Sequence, residues 1–157
     1  MKARVLFIAL MATAAMSGTS FADPGHSHAK ETVYGKPGDP RKPARIVQIV
    51  FREDEGKMLF LPDRLQVKKG EQIRFQLRNN GVLDHEFVVG TVEENLKHMK
   101  EMEKIPDMEH DDPNAKRLKP RATGELVWQF TKAGTFDFSC LIPAHRQSGM
   151  FGTIVVE

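Results

Sequence analysis

An all-β sandwich carrying one short helical insertion is the fold class that this 157-residue sequence predicts, and three observations predict it. From Arg45 onward, short runs alternate apolar and polar residues with period two, as strands with one buried face require. Turn-forming residues such as Lys69-Gly70 and Asn79-Asn80-Gly81 separate these runs at short intervals. Helical spacing of apolar residues occurs once, in the middle of the chain.

Residues 1–22 read as a secretory signal: Lys2 and Arg4 provide a charged start, residues 5–16 a short apolar stretch, and Ser20-Phe21-Ala22 a small-x-small cleavage signature before Asp23. The apolar run is too short for a transmembrane anchor, so no stable membrane insertion is expected after cleavage. Losing Lys2 and Arg4, with no acidic residue lost, takes the formal net charge from +2 to zero. A neutral mature chain without a long Lys/Arg run gives no reason to expect nucleic acid as a partner. Residues 23–44 carry four prolines and three glycines with few apolar side chains, and read as a flexible, extended arm, tied down if at all by the domain. Residues 45–157 are sized for one domain.

Within that domain, residues 46–51 and 57–61 read as the first two strands, and residues 65–67 as a third ending at the Lys68-Lys69-Gly70 turn. Ile73, Phe75 and Leu77 then alternate with Arg74, Gln76 and Arg78. His85 shares a strand face with Phe87 and Val89, which points it into the core, where an imidazole needs a partner. Leu126, Trp128 and Phe130 form another inward set, Phe136, Phe138 and Cys140 a third, and residues 153–156 the last strand. Between the strands, residues 91–120 read as an insertion. Leu96, Met99 and Met102 repeat at helical spacing until Pro106, and residues 108–114 follow as an irregular loop.

Residues 140–150, CLIPAHRQSGM, place a thiol, an imidazole and a thioether on one loop. Cys140 is the sole cysteine, in a chain whose signal implies an oxidising compartment, so it needs protection by burial or by a metal. Taken singly, an inward Cys, His or Met is usually core packing. Together, and completed by one more histidine from elsewhere, they make the His2Cys set with a weak axial Met that characterises mononuclear electron-transfer copper sites. Thiolate and thioether suit Cu(I) while imidazole suits both oxidation states; zinc sites seldom recruit methionine and usually show paired cysteines. Pro143 turns the chain so that His145 returns toward the sulfur, and Gly149 frees the backbone for Met150 to close the loop.

These residues resemble the cupredoxins, the family of plastocyanin, azurin and rusticyanin. The resemblance runs through residues 65–71, Asp84-His85-Glu86-Phe87 and residues 136–152, with a Cys-x4-His-x4-Met spacing similar to that of rusticyanin. It implies a cupredoxin-like Greek-key β-sandwich and one type 1 copper held by His85, Cys140, His145 and Met150. The Met-Glu-His-Asp-Asp-Pro-Asn insertion further resembles bacterial periplasmic cupredoxins associated with copper tolerance, of the CopI kind. The implied role is a monomeric periplasmic protein in copper tolerance, one-electron transfer, or both, with a redox protein or a copper-handling protein as partner.

One residue departs from the family pattern: Glu86 follows the first histidine where plastocyanin and azurin carry an Asn that joins the two ligand loops. This points to a greener, more tetragonal site, with a second strong visible band besides the red thiolate band. His145 is expected to offer its edge to the surface as the electron exit, with the neighbouring Arg146 favouring an acidic partner. Accessory copper candidates are His26 and His28 in the arm, and His98, Met99, Met102, Met108 and His110 in the insertion. Catalysis is not expected, because Cys140 lies between Ser139 and Leu141 rather than in a His-Cys-His bridge, and no second cysteine is present to build a binuclear centre.

Overall fold

The computed structural model describes residues 31–104 and 112–157. The predicted signal, His26, His28, Met108 and His110 lie outside the described residues. Among the described residues, ten strands and one helix follow in chain order: β1 (Lys36–Pro37), β2 (Arg45–Asp54), β3 (Lys57–Leu61), β4 (Arg64–Val67), β5 (Gln72–Asn79), β6 (His85–Gly90), α1 (Val92–Met102), β7 (Ala115–Leu118), β8 (Thr123–Gln129), β9 (Gly134–Ser139) and β10 (Phe151–Val156). They form two five-stranded sheets, in the orders β1-β8-β5-β2-β3 and β4-β10-β9-β6-β7. Both sheets are mixed, since β2 runs parallel to β5 and β4 parallel to β10 while the other pairs are antiparallel.

Period-two patterning accounts for the core. Val47, Ile49 and Phe51 of β2, Ile73, Phe75 and Leu77 of β5, and Leu126 and Trp128 of β8 turn inward and meet Phe87, Phe136, Phe138 and Ile154 from the other sheet. Aromatic rings dominate one end of this core. Phe60 packs edge-on to Phe51 at 5.1 Å and to Phe87 at 5.7 Å, and Phe87 lies 5.1 Å from Phe138. Each such pair contributes about 0.5–1.5 kcal/mol beyond its buried area, so this end of the sandwich is stiff. Phe51 also meets the His85 ring edge-on at 6.3 Å, which joins the stiff region to the candidate site.

Two local features of the insertion differ from the sequence expectation. The insertion contributes a strand, β7, which pairs antiparallel with β6 and covers that edge of its sheet. Its Ala-Lys-Arg-Leu sequence is too short and too polar to display an alternation. Helix α1 starts at a capping box, in which the Thr91 hydroxyl accepts from the Glu94 amide and the Glu94 carboxylate accepts from the Thr91 amide. It buries Asn95, Met99 and Met102, while Leu96, expected inside, is 38% exposed. Asn95 takes the inner position because its amide donates to Asp137 Oδ2 at 2.7 Å, so the polar side chain is satisfied where it lies.

From Glu31 onward, the arm is docked on the sandwich. Tyr34 is buried and stacks on Trp128 with ring centroids 5.7 Å apart, its carbonyl accepts from Trp128 Nε1 at 2.9 Å, and β1 extends the first sheet beside β8. Between Tyr34 and β1, Gly35 has φ +120, and a Cβ there would overlap the Gln129 carbonyl oxygen and lie 2.9 Å from Trp128 Nε1. Gly35→Ala should therefore cost about 2–3 kcal/mol through backbone strain and overpacking, seen as a melting temperature several degrees lower. An unchanged melting curve would mean that the docked arm adds little to the stability of the domain.

Candidate metal centre

The loop of residues 140–150 is the connection between β9 and β10, and the ladder of those strands fixes its two ends. Phe151 pairs with Ser139, and the Cys140 amide donates to the Met150 carbonyl at 3.0 Å. Inside the loop, amides donate from His145 to Ile142, from Ser148 to Ala144 and from Met150 to His145, all at 3.0–3.1 Å. The backbone needs left-handed geometry twice, at Ala144 with φ 72 and at Gly149 with φ 104. The second position is where the sequence supplies glycine, and it lets Met150 fold back beneath the loop, fully buried.

His85 enters from the start of β6, facing the core as its alternation with Phe87 and Val89 predicts. Its Nδ1 lies 3.1 Å from His145 Nδ1, and His145 Nδ1 lies 3.3 Å from Cys140 Sγ. One donor atom from each of His85, Cys140 and His145 falls within 4.8 Å of the others, and all three residues are buried. The structure thus brings three of the four residues named from the sequence to one point, with Met150 buried at the end of the same loop.

The protonation states set the terms on which the cluster takes up a cation. Burial, reinforced by the Glu86 charge and opposed by amide hydrogen bonds from Glu86 and Ile142, pushes the Cys140 thiol up to about 12. Burial and then the neighbouring His85 push His145 down to about 4, so its imidazole is neutral at physiological pH. His85 Nε2 lies 2.9 Å from Glu53 Oε1, and because a carboxylate only accepts, Nε2 donates to it and Nδ1 is the nitrogen that faces the cluster. Two imidazole nitrogens and a buried sulfur converge on one point, a donor set of the kind that holds a soft metal ion.

Residues 47–157 match the family described as copper binding proteins, plastocyanin/azurin family. The chain belongs to this family. It is 44% identical to the "Copper-resistant cuproprotein CopI" of Rubrivivax gelatinosus, with both chains covered in full. It is 30% identical to a plastocyanin of Sambucus nigra over 71% of this chain and 100% of that one. Auracyanin B superposes with a TM-score of 0.63 at 21% identity, covering 78% of this chain and 96% of that chain, which shows a common fold. The residues at the cluster fit the copper that the family binds, since thiolate and paired imidazoles are its preferred donors.

In this cupredoxin, Glu86 bridges the two ligand-bearing segments. Its amide donates to Cys140 Sγ at 3.4 Å and its carboxylate accepts from the Leu141 amide at 2.9 Å, so a carboxylate joins the segments that an Asn joins in plastocyanin and azurin. Arg146 corrects an expectation. Its guanidinium faces inward, with the side chain only 12% exposed; it pairs with Asp137 at 2.9 Å, touches the Ser139 hydroxyl and lies over the Phe151 ring. The buried Asp137 carboxylate, gripped by Arg146, Asn95 and Ser139, holds that charge away from any partner surface. His145 keeps 8% of its surface exposed, a narrow edge, because its ring packs against His85 with centroids 4.9 Å apart. In the helix, Met99 packs with Val88 and Leu141, and Met102 is 1% exposed.

Glu53 is a site residue that the sequence pattern did not reveal. It continues the odd-numbered inward face of β2 past Val47, Ile49 and Phe51, and that register could have found it. Burial alone would raise its carboxyl, but hydrogen bonds from Leu83, His85 and Val82 outweigh burial and hold it below the ordinary carboxylate range.

At neutral pH the thiol carries a proton and His145 does not, so copper uptake displaces the Cys140 proton and none from His145. Apparent copper affinity should rise about tenfold per pH unit between about pH 6 and 8, with the released proton counted by calorimetry in buffers of different ionisation enthalpy. Affinity independent of pH across that window would contradict a protonated thiol.

Proposed function

We propose that this protein is a periplasmic type 1 copper protein that serves copper tolerance through a redox-active mononuclear site. The observation that carries the reading is the buried His85, Cys140 and His145 cluster in a chain 44% identical, end to end, to a protein named a copper-resistant cuproprotein. The residues proposed to hold the ion are His85, Cys140, His145 and Met150. When bound, copper supplies a one-electron Cu(I)/Cu(II) couple.

The chain's own residues prepare the site for that couple. The β9–β10 ladder and the loop hydrogen bonds hold Cys140, His145 and Met150 in place, the aromatic end of the core backs His85, and Glu86 ties the two segments together. A rigid donor set reorganises little when the charge on the ion changes by one. Burial excludes water from the thiol, which keeps Cys140 from oxidation in an exported protein. The narrow edge of His145 is the proposed exit for the electron.

A dedicated electron carrier with no part in copper tolerance is the second reading. It is favoured by a match that spans the whole of a plastocyanin and 71% of this chain, and by a site that offers three convergent donors at one point.

The purified protein should take up one copper per chain and develop strong visible thiolate-to-copper absorption, and Cys140→Ser should lose that absorption. Deleting the gene should lower growth at raised copper. Full uptake with unchanged tolerance would overturn the tolerance role in favour of the carrier, and an absence of thiolate absorption would overturn both.

A further inference from the structure

Glu53 sits at the end of β2, in the other sheet from His85, yet a single atom of its side chain gathers three donors. Oε1 accepts from the Val82 amide at 2.9 Å, from the Leu83 amide at 3.0 Å and from His85 Nε2 at 2.9 Å. The amides belong to the turn that leads into His85, so the same oxygen anchors both the imidazole and the chain that presents it. The carboxylate is partly shielded, with 22% of its side chain exposed, while the histidine it holds is fully buried.

We propose that Glu53 is a positioning residue for the copper site, fixing the tautomer and orientation of His85 and biasing the bound ion toward Cu(II). This rests on the reading of the cluster as a copper site. A carboxylate that accepts the Nε2 proton increases electron density at Nδ1 and makes it a stronger donor. Its negative charge, delivered through one imidazole in a buried setting, stabilises the doubly charged ion more than the singly charged one. Its grip on Val82 and Leu83 stops the ring from rotating, since turning His85 would break a bond at the oxygen that the turn also uses.

Glu53→Gln keeps an oxygen for the two amides and for Nε2 but removes the charge. In the copper-loaded protein, the ratio of Cu(II) to Cu(I) affinity should shift about tenfold toward Cu(I), a rise in reduction potential of about 59 mV, with the thermal stability of the metal-free protein little changed. A potential equal to that of the wild type would overturn the proposal and leave Glu53 as an anchor for the turn alone, while the thiolate absorption of the wild type would still uphold the copper reading. A wild type that takes up no copper would overturn both. If Glu53→Gln fails to fold, nitrogen-15 NMR of the wild-type Cu(I) protein decides the matter: a slowly exchanging His85 Nε2 proton supports the proposal, and a rapidly exchanging one overturns it.

Discussion

The pairing of β9 with β10 is the constraint on which the rest of the molecule depends. These strands are neighbours in the second sheet, and the loop between them carries a thiol, an imidazole and a thioether within eleven residues. Because Phe151 is in register with Ser139 and the Cys140 amide bonds the Met150 carbonyl, the two ends of the loop lie side by side before any metal arrives. The third donor residue, His85, is fixed by the pairing of β6 with β9, in which Val88 faces Ser139. Sheet register therefore sets the meeting of the donors, and the fold carries the ordering entropy that a flexible site would lose on binding.

Among the described residues, three carboxylates surround the cluster, and each is anchored to a different part of it. Glu53 holds His85, Glu86 holds the Leu141 amide beside Cys140, and Asp137 holds Arg146 beside His145. Glu53 places its negative charge beside a residue of the cluster, while Asp137 is matched by a guanidinium. This division separates electronic influence from mechanical support. Asp137 links the loop to helix α1 through Asn95, so the helical insertion braces the site from the side. Its methionines pack rather than open to solvent, which leaves bracing as the visible contribution of the helix.

The strands and the inward faces were legible because period two is a strong signal wherever a strand is half buried, as in β2, β5 and β8. The same signal aimed His85 and Cys140 inward, and the short spacing of residues 140–150 brought His145 and Met150 with them. Features that rest on one specific tertiary partner rather than on periodicity were not legible. Asn95 displaced Leu96 from the helix interior because Asp137, 42 residues away, waits to accept its hydrogen bond. Arg146 turned inward for the same carboxylate, and Tyr34 docked the arm by stacking on Trp128, 94 residues on. β7 escaped because a four-residue edge strand is held by its neighbour rather than by its own pattern.

X-ray absorption at the copper edge of the fully loaded protein tests most directly whether Cys140, His85 and His145 hold one copper ion together. The expected spectrum shows one short copper–sulfur bond and two imidazole nitrogens, and Cys140→Ser should show no such sulfur neighbour. A wild-type spectrum with nitrogen and oxygen neighbours alone, and no sulfur at bonding distance, would contradict a shared copper site.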